Sequence, residues 1–362
     1  MSNDEYEQQR IMIVCGAQFG SEGKGNVAAW LASQDESTTC VRVGGPNAGH
    51  TVRTAGNKTY KLQHLPTGVV HGNKCLIAAG SEIDLGLLQR ELEMLAAEGE
   101  LPVSLFVDQN ATVLSADHSL METQGKPHGD AGLTQSIGST GKGVGAARSE
   151  RIWRRAQTIR QLVGEHGNVL SLGDFSIDLC NGPQLLNDDI LNGCSILIEG
   201  TQGYGLGLHT SYYPFTTSGD ARAIDFLAQV GLCPWSYPEC DLQVWLVART
   251  YPIRVAGNSG PLKHETSWEE LGIPEEFTTV TKKRRRVGEW DSGLVQQAIV
   301  ANGWPNIHFT LTMLDHAFKR LAFETNREKI LEVAGDYLDK ISTEIGVRIT
   351  AVSTGPNSII RL

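Results

Sequence analysis

The sequence predicts an α/β fold, a single large domain built around a mostly parallel central sheet with helices on both faces. Short apolar runs rich in β-branched residues alternate along the chain with polar loops and amphipathic stretches, as in strands joined by crossover helices. The first of these runs leads directly into a glycine-rich loop that resembles a phosphate-binding P-loop. We expect residues 1–10 to form a polar tail and residues 11–362 to form the domain.

Eight apolar runs are predicted to be the strands of this sheet. Most are bounded by glycine, asparagine or another polar residue, which is typical of strands in an α/β domain. In chain order they lie at residues 11–15, 38–43, 74–79, 105–107, 195–198, 244–248 and 308–314, with the last beginning at residue 351.

Two helices are predicted beside these strands. The helix at residues 26–32 follows the glycine-rich loop, so its positive N-terminal end faces that loop. The helix at residues 83–98 carries leucines at helical spacing, and Ser81 is placed to cap its first turn.

The loop after the first strand has the composition of a phosphate site. Four glycines and Lys24 fall within residues 16–25, so backbone N–H groups and one cation can converge on an anion. The common P-loop differs in having a glycine five positions before its Gly-Lys pair and a Ser or Thr after it, where this chain has Gln18 and Gly25. A glycine-rich turn between a strand and a helix therefore stays an alternative.

The second strand leads into a loop rich in glycine and hydrogen-bonding groups. Residues 44–51 offer the side chains of Asn47, His50 and Thr51. A lone loop histidine is more often solvated or bonded within the core, but here it lies beside a candidate phosphate loop. These residues are candidates for ligand binding.

Three later loops combine glycine, hydroxyl and amide groups. Residues 137–145 contain a second Ser/Thr-Gly-Lys-Gly cluster, which is either a second phosphate site with Thr140 and Lys142 as donors or a mobile surface loop. Residues 199–207 follow an apolar strand, where open α/β sheets place ligands, and residues 216–218 are rich in hydroxyls.

Five consecutive basic residues, 282–286, stand out in a chain of net charge −10. Such a run can be a targeting or nucleic-acid patch, but in its threonine-rich context it better fits a loop that binds carboxylates and phosphates. The overall negative charge argues against broad attraction to nucleic acid or membrane. Asp315, after a late strand, either accepts hydrogen bonds from a guanine base or caps a turn.

Cysteine usage and the polar start of the chain bear on the compartment. The seven cysteines show no CxxC pair and no metal-ligand spacing, which favours free thiols in a reducing compartment. Residues 1–10 do not resemble a secretory signal, and no apolar run is long enough to span a bilayer. We expect a cytoplasmic protein with neither membrane nor nucleic acid as partner.

Six motifs together resemble those of the adenylosuccinate synthetase family. In chain order they are Gly-Ala-Gln-Phe-Gly-Ser-Glu-Gly-Lys-Gly, Gly-Gly-Pro-Asn-Ala-Gly-His-Thr, Ile-Gly-Ser-Thr-Gly-Lys-Gly-Val-Gly, Glu-Gly-Thr-Gln-Gly, Leu-Thr-Met-Leu-Asp and Ser-Thr-Gly-Pro. The first two are highly specific, and the set covers residues 11–356. The resemblance implies that residues 11–362 form a catalytic domain.

The resemblance implies a ligase that joins L-aspartate to C6 of a purine nucleotide. The γ-phosphoryl group of a nucleoside triphosphate first goes to O6 of the purine, and the aspartate amine then displaces phosphate at C6. The implied cofactor is Mg²⁺, the implied phosphoryl donor is ATP (or dATP or GTP), and the implied assembly is a homodimer.

The resemblance also implies a role for each residue of the matching motifs. Lys24 would contact the transferring phosphates, and His50 would be the acid that stabilises charge at O6. Gln202 would contact the base, and Ser21 occupies the remaining catalytic position. Arg154 would reach the nucleotide of the second subunit. The nucleotide-binding set would be Ser21, Asn47, Ala48, Gly49, Thr140, Arg154, Gln202, Thr217 and Lys283.

The donor, the aspartate and the metal would occupy neighbouring loops. The triphosphate donor would be bound by Gly20, Glu22, Gly23, Lys24, Gly25, Asn26, Gly49, Thr51, Arg285, Asp315, Ser353 and Gly355. Aspartate would be bound by Thr279, Val280, Thr281, Arg284 and Arg285. Magnesium would be bound by Ser21 and the carbonyl of Gly49.

Three departures from the family pattern bear on the substrates. Ser21 stands where the family has Asp, and a hydroxyl is a poor base and a weak metal ligand. A short neutral side chain leaves room for the C2 amino group of guanine. This resembles the phage branch of the family, which converts dGMP to N6-succino-2-amino-2′-deoxyadenylate for 2-aminoadenine DNA. Met313 replaces a lysine near the donor base, which loosens the choice between ATP (or dATP) and GTP, and the phage branch tends to use ATP. Lys283 replaces an arginine.

Three functions remain to be compared. The first is a dGMP-specific ligase of the phage type. The second is an ordinary adenylosuccinate synthetase that uses IMP, aspartate and GTP. The third is a non-catalytic nucleotide-binding protein, in which Ser21 records lost chemistry.

Overall fold

The computed structural model describes residues 8–54, 56, 58–101, 104–125, 132–277, 284–303 and 307–362. Its strands, in chain order, are β1 (Arg10–Gly16), β2 (Thr39–Arg42), β3 (His50–Arg53), β4 (Thr59–Leu62), β5 (Cys75–Ile77), β6 (Glu82–Ile83), β7 (Leu105–Asp108), β8 (Thr112–Val113), β9 (Val169–Leu172), β10 (Phe175–Cys180), β11 (Ile196–Glu199), β12 (Asp241–Arg249), β13 (Ile253–Arg254), β14 (Glu265–Thr266), β15 (Arg286–Gly288), β16 (Ile307–Thr312), β17 (Ile349–Ser353) and β18 (Ile359–Arg361). Its α-helices are α1 (Lys24–Ala32), α2 (Leu85–Glu98), α3 (Ala116–Gln124), α4 (Leu133–Ser136), α5 (Val144–Ile152), α6 (Ile159–Val163), α7 (Gly182–Leu191), α8 (Ala223–Val230), α9 (Trp268–Leu271), α10 (Ser292–Ala301), α11 (Leu314–Ala317) and α12 (Arg327–Ile345).

An eleven-stranded sheet forms the centre of the domain, in the order β18-β17-β16-β12-β1-β11-β2-β5-β7-β10-β9. Neighbouring strands run parallel except for the β17–β18 and β9–β10 pairs at the two edges, which are antiparallel. The predicted mostly parallel sheet is confirmed, and all eight predicted strands belong to it.

The two faces of the sheet have separate apolar cores. In β1, Ile11 and Ile13 pack on one face while Met12 and Val14 pack on the other, so the whole strand is buried. Buried residues of α7, α8, α10 and α12 join the first core, and those of α1 and α2 join the second. Helices therefore cover both faces, as predicted, and a central parallel strand reads as a continuous apolar run.

The start of α2 differs from the prediction. The helix begins at Leu85, and its N-cap is Asp84, whose carboxylate accepts a hydrogen bond from the backbone N–H of Leu87 at 2.9 Å. The expectation that Ser81 caps the helix is wrong, because the chain first forms the short strand β6 beside β8.

Most other boundaries shift by one or two residues, and β12 begins three residues earlier than predicted, at Asp241. Several elements have no counterpart in the prediction. Arg10 already belongs to β1 and pairs with Asp241, so the predicted ten-residue tail is one residue too long. The helix α12 buries residues at helical spacing, and the β9–β10 hairpin extends one edge of the sheet; neither is predicted. Among the described helices, none is long and apolar enough to cross a membrane.

The sheet brings the predicted site loops to one edge. β1, β2, β11, β12 and β16 are adjacent or nearly adjacent parallel strands, so their carboxyl ends lie at the same edge. The loops that leave them carry most of the residues singled out in the sequence. This is where open α/β sheets bind ligands.

The corrected N-cap makes a stability prediction. Replacing Asp84 with Ala removes the acceptor of the Leu87 N–H, so we expect the free energy of unfolding to fall by about 1 kcal/mol. Asp84→Asn keeps a capping oxygen and should lose much less. Urea unfolding of both variants checks this, and equal losses would show that Asp84 does not act through the cap.

Candidate active site

The loop between β1 and α1 folds around a buried carboxylate. The side chain of Glu22 accepts hydrogen bonds from the backbone N–H groups of Gln18 (3.2 Å) and Gly20 (2.8 Å) and from Lys24 Nζ (2.5 Å). Glu22 is fully buried, and a Cβ on Gly203 would lie 2.3 Å from its Oε1. The Glu22 carboxylate therefore holds the loop in shape and pairs with the Lys24 ammonium group.

The first turn of α1 packs directly against His50. A Cβ on Gly25 would lie 2.7 Å from the Cβ of His50, which is closer than real Cβ atoms approach. The Ser or Thr that follows the lysine in the common P-loop therefore has no room here. The departure at position 25 has a steric cause.

His50 lies in a buried cluster of charged groups. Arg42 Nη1 donates to Glu199 Oε1 at 2.7 Å and lies 2.5 Å from His50 Nδ1, which also contacts Glu199 Oε1. The second carboxylate oxygen of Glu199 accepts from the Thr67 backbone N–H (2.7 Å) and hydroxyl (2.8 Å). These contacts use both oxygens of Glu199 and fix the imidazole ring.

Burial and neighbouring charges shift the pKa values of this cluster. Burial, reinforced by Arg42 and opposed by Glu199, lowers the pKa of His50 to about 4. Burial acts to raise the pKa of Glu199, but Arg42, His50 and the Thr67 hydrogen bonds outweigh it and lower that pKa to about 2. In this state the imidazole is neutral and the carboxylate is charged at pH 7.

A cavity of about 600 Å³ lies beside these loops. Four of the predicted nucleotide-binding residues line it, namely Asn47, Thr140, Gln202 and Thr217, and each comes from a different loop. The volume is that of an ordinary small-ligand site. Much of the remaining wall is apolar and includes Phe19, Leu206, Leu208, Tyr213, Pro214 and Phe215.

The second glycine-rich loop is also organised by a carboxylate. Glu122, which is buried, accepts hydrogen bonds from the backbone N–H groups of Gly143 (2.9 Å) and Gly145 (2.6 Å) at the start of α5. Those two donors are therefore occupied. Thr140 lines the cavity, whereas Lys142 does not, so of the two predicted donors only Thr140 faces this space.

Ser21 projects from the first loop beside a basic cluster. Its backbone φ is 59°, and its hydroxyl is exposed and accepts a hydrogen bond from Arg285 Nη1 at 2.9 Å. The same nitrogen lies 3.2 Å from Glu276 Oε2, and Glu276 also pairs with the buried Arg249. Burial lowers the pKa of Arg285, and Glu276 opposes that effect. The structure thus brings together Ser21 and Arg285, which lie 264 positions apart in the chain.

The predicted donor-base residues follow two neighbouring strands. Asp315 lies in the first turn of α11, directly after β16, and Ser353 ends β17. Burial raises the pKa of Asp315, and within the described residues its Oδ1 is buried with no hydrogen-bond partner. Ser353 donates to the carbonyl of Gly355 at 3.0 Å. An unpaired buried oxygen is what a ligand donor would satisfy.

Other predicted residues lie apart from these groups. Arg154 is exposed just beyond α5 and does not line the cavity, and Arg284 is exposed and pairs with Glu275 at 2.9 Å. Thr279, Val280, Thr281 and Lys283 fall outside the described residues.

The remaining residues predicted to bind the donor or the nucleotide lie on the first loop, on α1, and on β3 and the segment that leads into it. Gly23 is the N-cap of α1, Asn26 lies in its first turn, and Thr51 is exposed on β3. The Ala48 carbonyl accepts from Arg42 Nη2 at 2.7 Å.

The two predicted metal ligands, Ser21 and Gly49, offer oxygen atoms, which are the ligands that Mg²⁺ prefers. No group of three or more His, Cys, Asp or Glu side chains in the described part of the chain forms a metal site. Ser21 and Gly49 are both exposed and offer a hydroxyl and a carbonyl oxygen. Hard oxygen ligands that leave room for waters and phosphates suit Mg²⁺, so these residues fit that ion.

The chain matches the family model described as adenylosuccinate synthetase over residues 13–172 and 173–322. The chain belongs to the adenylosuccinate synthetase family. It is 37% identical over 352 residues to the adenylosuccinate synthetase of Methanocaldococcus jannaschii, covering 95% of this chain and 94% of the relative. It is 33% identical over 351 residues to that of Pyrococcus horikoshii, covering 95% and 96%. This synthetase is therefore a C–N ligase, and the predicted family is confirmed.

Two solved structures resemble the synthetase along nearly its whole length. Succinoaminodeoxyadenylate synthetase (PurZ) of cyanophage S-2L, bound to dGMP and to dATP as an energy donor, has a TM-score of 0.80 and 27% identity, covering 98% of this chain and 96% of that one. Fully ligated adenylosuccinate synthetase from Plasmodium falciparum has a TM-score of 0.79 and 21% identity, covering 98% and 100%. At 21% identity, the similarity to the Plasmodium falciparum enzyme shows a shared fold and nothing more.

Sequence reasoning missed several residues of this site. Arg42 precedes one recognised motif, and Glu199 is the first residue of another. A charged residue at the end of each of two central strands is the signal that could have indicated a buried pair. Glu122 lies in a helix that has no motif. Arg254 lines the cavity, lies 4.2 Å from the Phe19 ring centroid, and has a pKa that burial lowers to about 10.

The contact between α1 and β3 predicts that position 25 accepts only glycine. Gly25→Ala should displace the Lys24 loop or His50, and we expect kcat to fall by about a hundredfold, since a 1 Å misplacement can cost that much. Gly335→Ala is the control, because Gly335 has nothing within 4 Å of its Cβ position. Near-normal turnover in Gly25→Ala would contradict the close packing.

The His50 cluster predicts lower stability in acid. The unfolded chain binds more protons than the folded one, because the pKa of His50 falls from 6.5 to about 4 and that of Glu199 from 4.5 to about 2. The free energy of unfolding should therefore fall as pH drops from about 6.5 towards 2. Urea unfolding at pH 7 and pH 5 measures the combined loss, to which the buried His64 also contributes because burial lowers its pKa to about 3. His50→Gln should make this loss smaller, and an unchanged loss in that variant would contradict the role of His50.

Proposed function

We propose that this synthetase joins L-aspartate to C6 of dGMP and releases phosphate, giving N6-succino-2-amino-2′-deoxyadenylate for 2-aminoadenine DNA. The observation that carries the proposal is Ser21, a neutral hydroxyl at the position where the family has an acid. Its exposed oxygen accepts one hydrogen bond, from Arg285, and a hydroxyl oxygen has a second lone pair.

The chemistry of guanine favours a hydroxyl at this position. Guanine differs from hypoxanthine by the amino group at C2, which donates hydrogen bonds and needs space. The short Ser21 side chain leaves that space, and its free lone pair can accept from the amino group. The synthetase of cyanophage S-2L, which resembles this chain in fold and at 27% identity, binds dGMP and dATP, and this supports the same assignment here.

The first chemical step is transfer of the γ-phosphoryl group of ATP to O6 of the purine, which releases ADP and the N1 proton of the base. Lys24 and the N-terminal end of α1 lie where they can stabilise negative charge on the phosphates. His50, whose ring contacts Glu199 and Arg42, would interact with the oxygen that gains charge. Magnesium bound at the Gly49 carbonyl would neutralise phosphate charge in this step. The predicted second ligand, Ser21, has no lone pair left for the metal once its oxygen accepts from both Arg285 and the guanine amino group.

The second step is attack of the aspartate amine on C6. Arg284 and Arg285, with Thr279, Val280 and Thr281, would bind the aspartate carboxylates, because guanidinium groups match carboxylates with paired donors. Because Arg285 lies beside Ser21, an aspartate bound by Arg285 would lie next to the purine. Phosphate leaves as the C–N bond forms, and the amine loses a proton.

The cavity supplies the nucleotide site in this scheme. Asn47, Thr140 and Thr217 would bind the 5′-phosphate, and Gln202 would contact the base or its 6-oxygen. Asp315, Ser353 and Gly355 would surround the base of ATP or dATP. We also propose a cytoplasmic homodimer in which Arg154 completes the nucleotide site of the second subunit.

An ordinary adenylosuccinate synthetase, acting on IMP and GTP, is the second candidate. The observation that favours it is the sequence similarity, since relatives at 33–37% identity carry that name.

The proposal is tested by offering the purified protein dGMP, GMP or IMP with ATP, dATP or GTP and measuring aspartate-dependent phosphate release. We expect dGMP to be used at least tenfold better than IMP, in line with the discrimination that one hydrogen-bonding group provides. Ser21→Asp should lower kcat/KM for dGMP by at least about tenfold, because a carboxylate takes up the space of the amino group.

Two outcomes contradict this proposal. Preference for IMP would assign the ordinary synthetase activity. Nucleotide binding with no aspartate-dependent phosphate release, in every substrate combination, would assign a non-catalytic role. Ser21→Ala is the matched control, since it keeps the space and removes only the hydrogen bond.

A further inference from the structure

A partly buried ion pair lies behind the nucleotide cavity. Arg148 of α5 donates from Nε to Glu82 Oε1 at 2.7 Å and from Nη2 to Glu82 Oε2 at 3.3 Å, so the guanidinium binds both carboxylate oxygens. The side chains are 22% and 7% exposed. Two parallel hydrogen bonds make such a pair geometrically specific as well as strong.

This ion pair packs against two glycines in separate loops. A Cβ on Gly219 would lie 2.2 Å from Arg148 Nη1, and a Cβ on Gly45 would lie 3.1 Å from Glu82 Oε2. The same Gly45 position would also lie 2.5 Å from Val144, at the start of α5. Both loops therefore pack so closely against the ion pair that a side chain at Gly45 or Gly219 would collide with it or with Val144.

Those loops carry the side chains that line the cavity. Gly45 is two residues before Asn47, Gly219 is two residues after Thr217, and Thr140 lies in the loop that leads into α5. All three polar side chains line the cavity, whereas neither Arg148 nor Glu82 does. The ion pair thus contacts two of the three loops, and Arg148 lies in the helix that the third loop enters.

We propose that Arg148, through its ion pair with Glu82, is a positioning residue for the 5′-phosphate of the nucleotide substrate. The pair is neutral as a whole, so it acts on the phosphate through the geometry of Asn47, Thr140 and Thr217. A change of loop position by a fraction of an ångström alters the fit of three donors at once. This inference rests on the proposed role of the cavity as the nucleoside monophosphate site.

Substitutions of the two partners separate positioning from direct phosphate binding. Arg148→Met and Glu82→Gln should each raise KM for the nucleoside monophosphate by roughly tenfold, with KM for ATP and for aspartate within about twofold. Arg148→Lys should not restore KM, because an ammonium group cannot make the two parallel hydrogen bonds. If Arg148 instead bound phosphate directly, Glu82→Gln would lower KM by freeing the guanidinium, and Arg148→Lys would largely retain affinity.

A second ion pair provides a matched control. Lys74 and Asp189 lie 2.7 Å apart with side chains 29% and 10% exposed, and they link β5 to α7 without lining the cavity. Lys74→Met should lower the melting temperature as much as Arg148→Met while leaving every KM unchanged. Equal KM values for the nucleotide in Lys74→Met and Arg148→Met would overturn the proposal.

The readout does not depend on which purine the enzyme uses. The 5′-phosphate is common to dGMP, GMP and IMP, so the assays use whichever of them the unmodified enzyme turns over best. If none is turned over, calorimetric titration with dGMP measures the dissociation constant directly, and Arg148→Met should raise it by roughly tenfold. An unchanged constant in a variant that melts cooperatively would also overturn the proposal.

Discussion

The rest of the site depends on the hydrogen bonds and ion pairs that the buried Glu199 carboxylate makes. Glu199 ends a central strand of the sheet and connects Arg42 of the adjacent strand, His50 of the β3–β4 hairpin and Thr67 of a short 3₁₀ helix. Arg42 and Glu199 are both almost completely buried, and each compensates the charge of the other. Loss of either would leave a buried charge without its partner, which costs about 3–5 kcal/mol of stability.

A buried carboxylate also organises each of the two glycine-rich loops. Glu22 bonds the N–H groups of the first loop and Glu122 those of the second, so a protein that must bind anions uses its own carboxylates to shape the loops. A buried carboxylate that accepts several backbone N–H bonds is satisfied and fixes loop geometry without a regular helix or strand. The donors left over for substrate are then side-chain hydroxyls, amides and the lysine.

The sequence predicted the order and type of the central strands because a fully buried parallel strand appears as a compact apolar run. It predicted Asn47, Thr140, Gln202 and Thr217 as one set because they belong to recognisable motifs, and the cavity unites them. It did not predict that Arg42, Glu122 and Glu199 hold the site together, since the sequence alone does not distinguish a buried charged residue from an exposed one. Likewise, nothing local distinguishes the cap at Asp84 from Ser81, because the choice depends on pairing of β6 with a distant strand.

The backbone at position 21 is left-handed, a conformation that Asp and Asn adopt more readily than most other residues with a side chain. The loop therefore keeps a shape suited to an acid even though it carries a hydroxyl. An exchange between the two replaces the projecting group and leaves the surrounding scaffold in place. If Ser21 sets the base preference as proposed, a single exchange at position 21 would change that preference without rebuilding the loop.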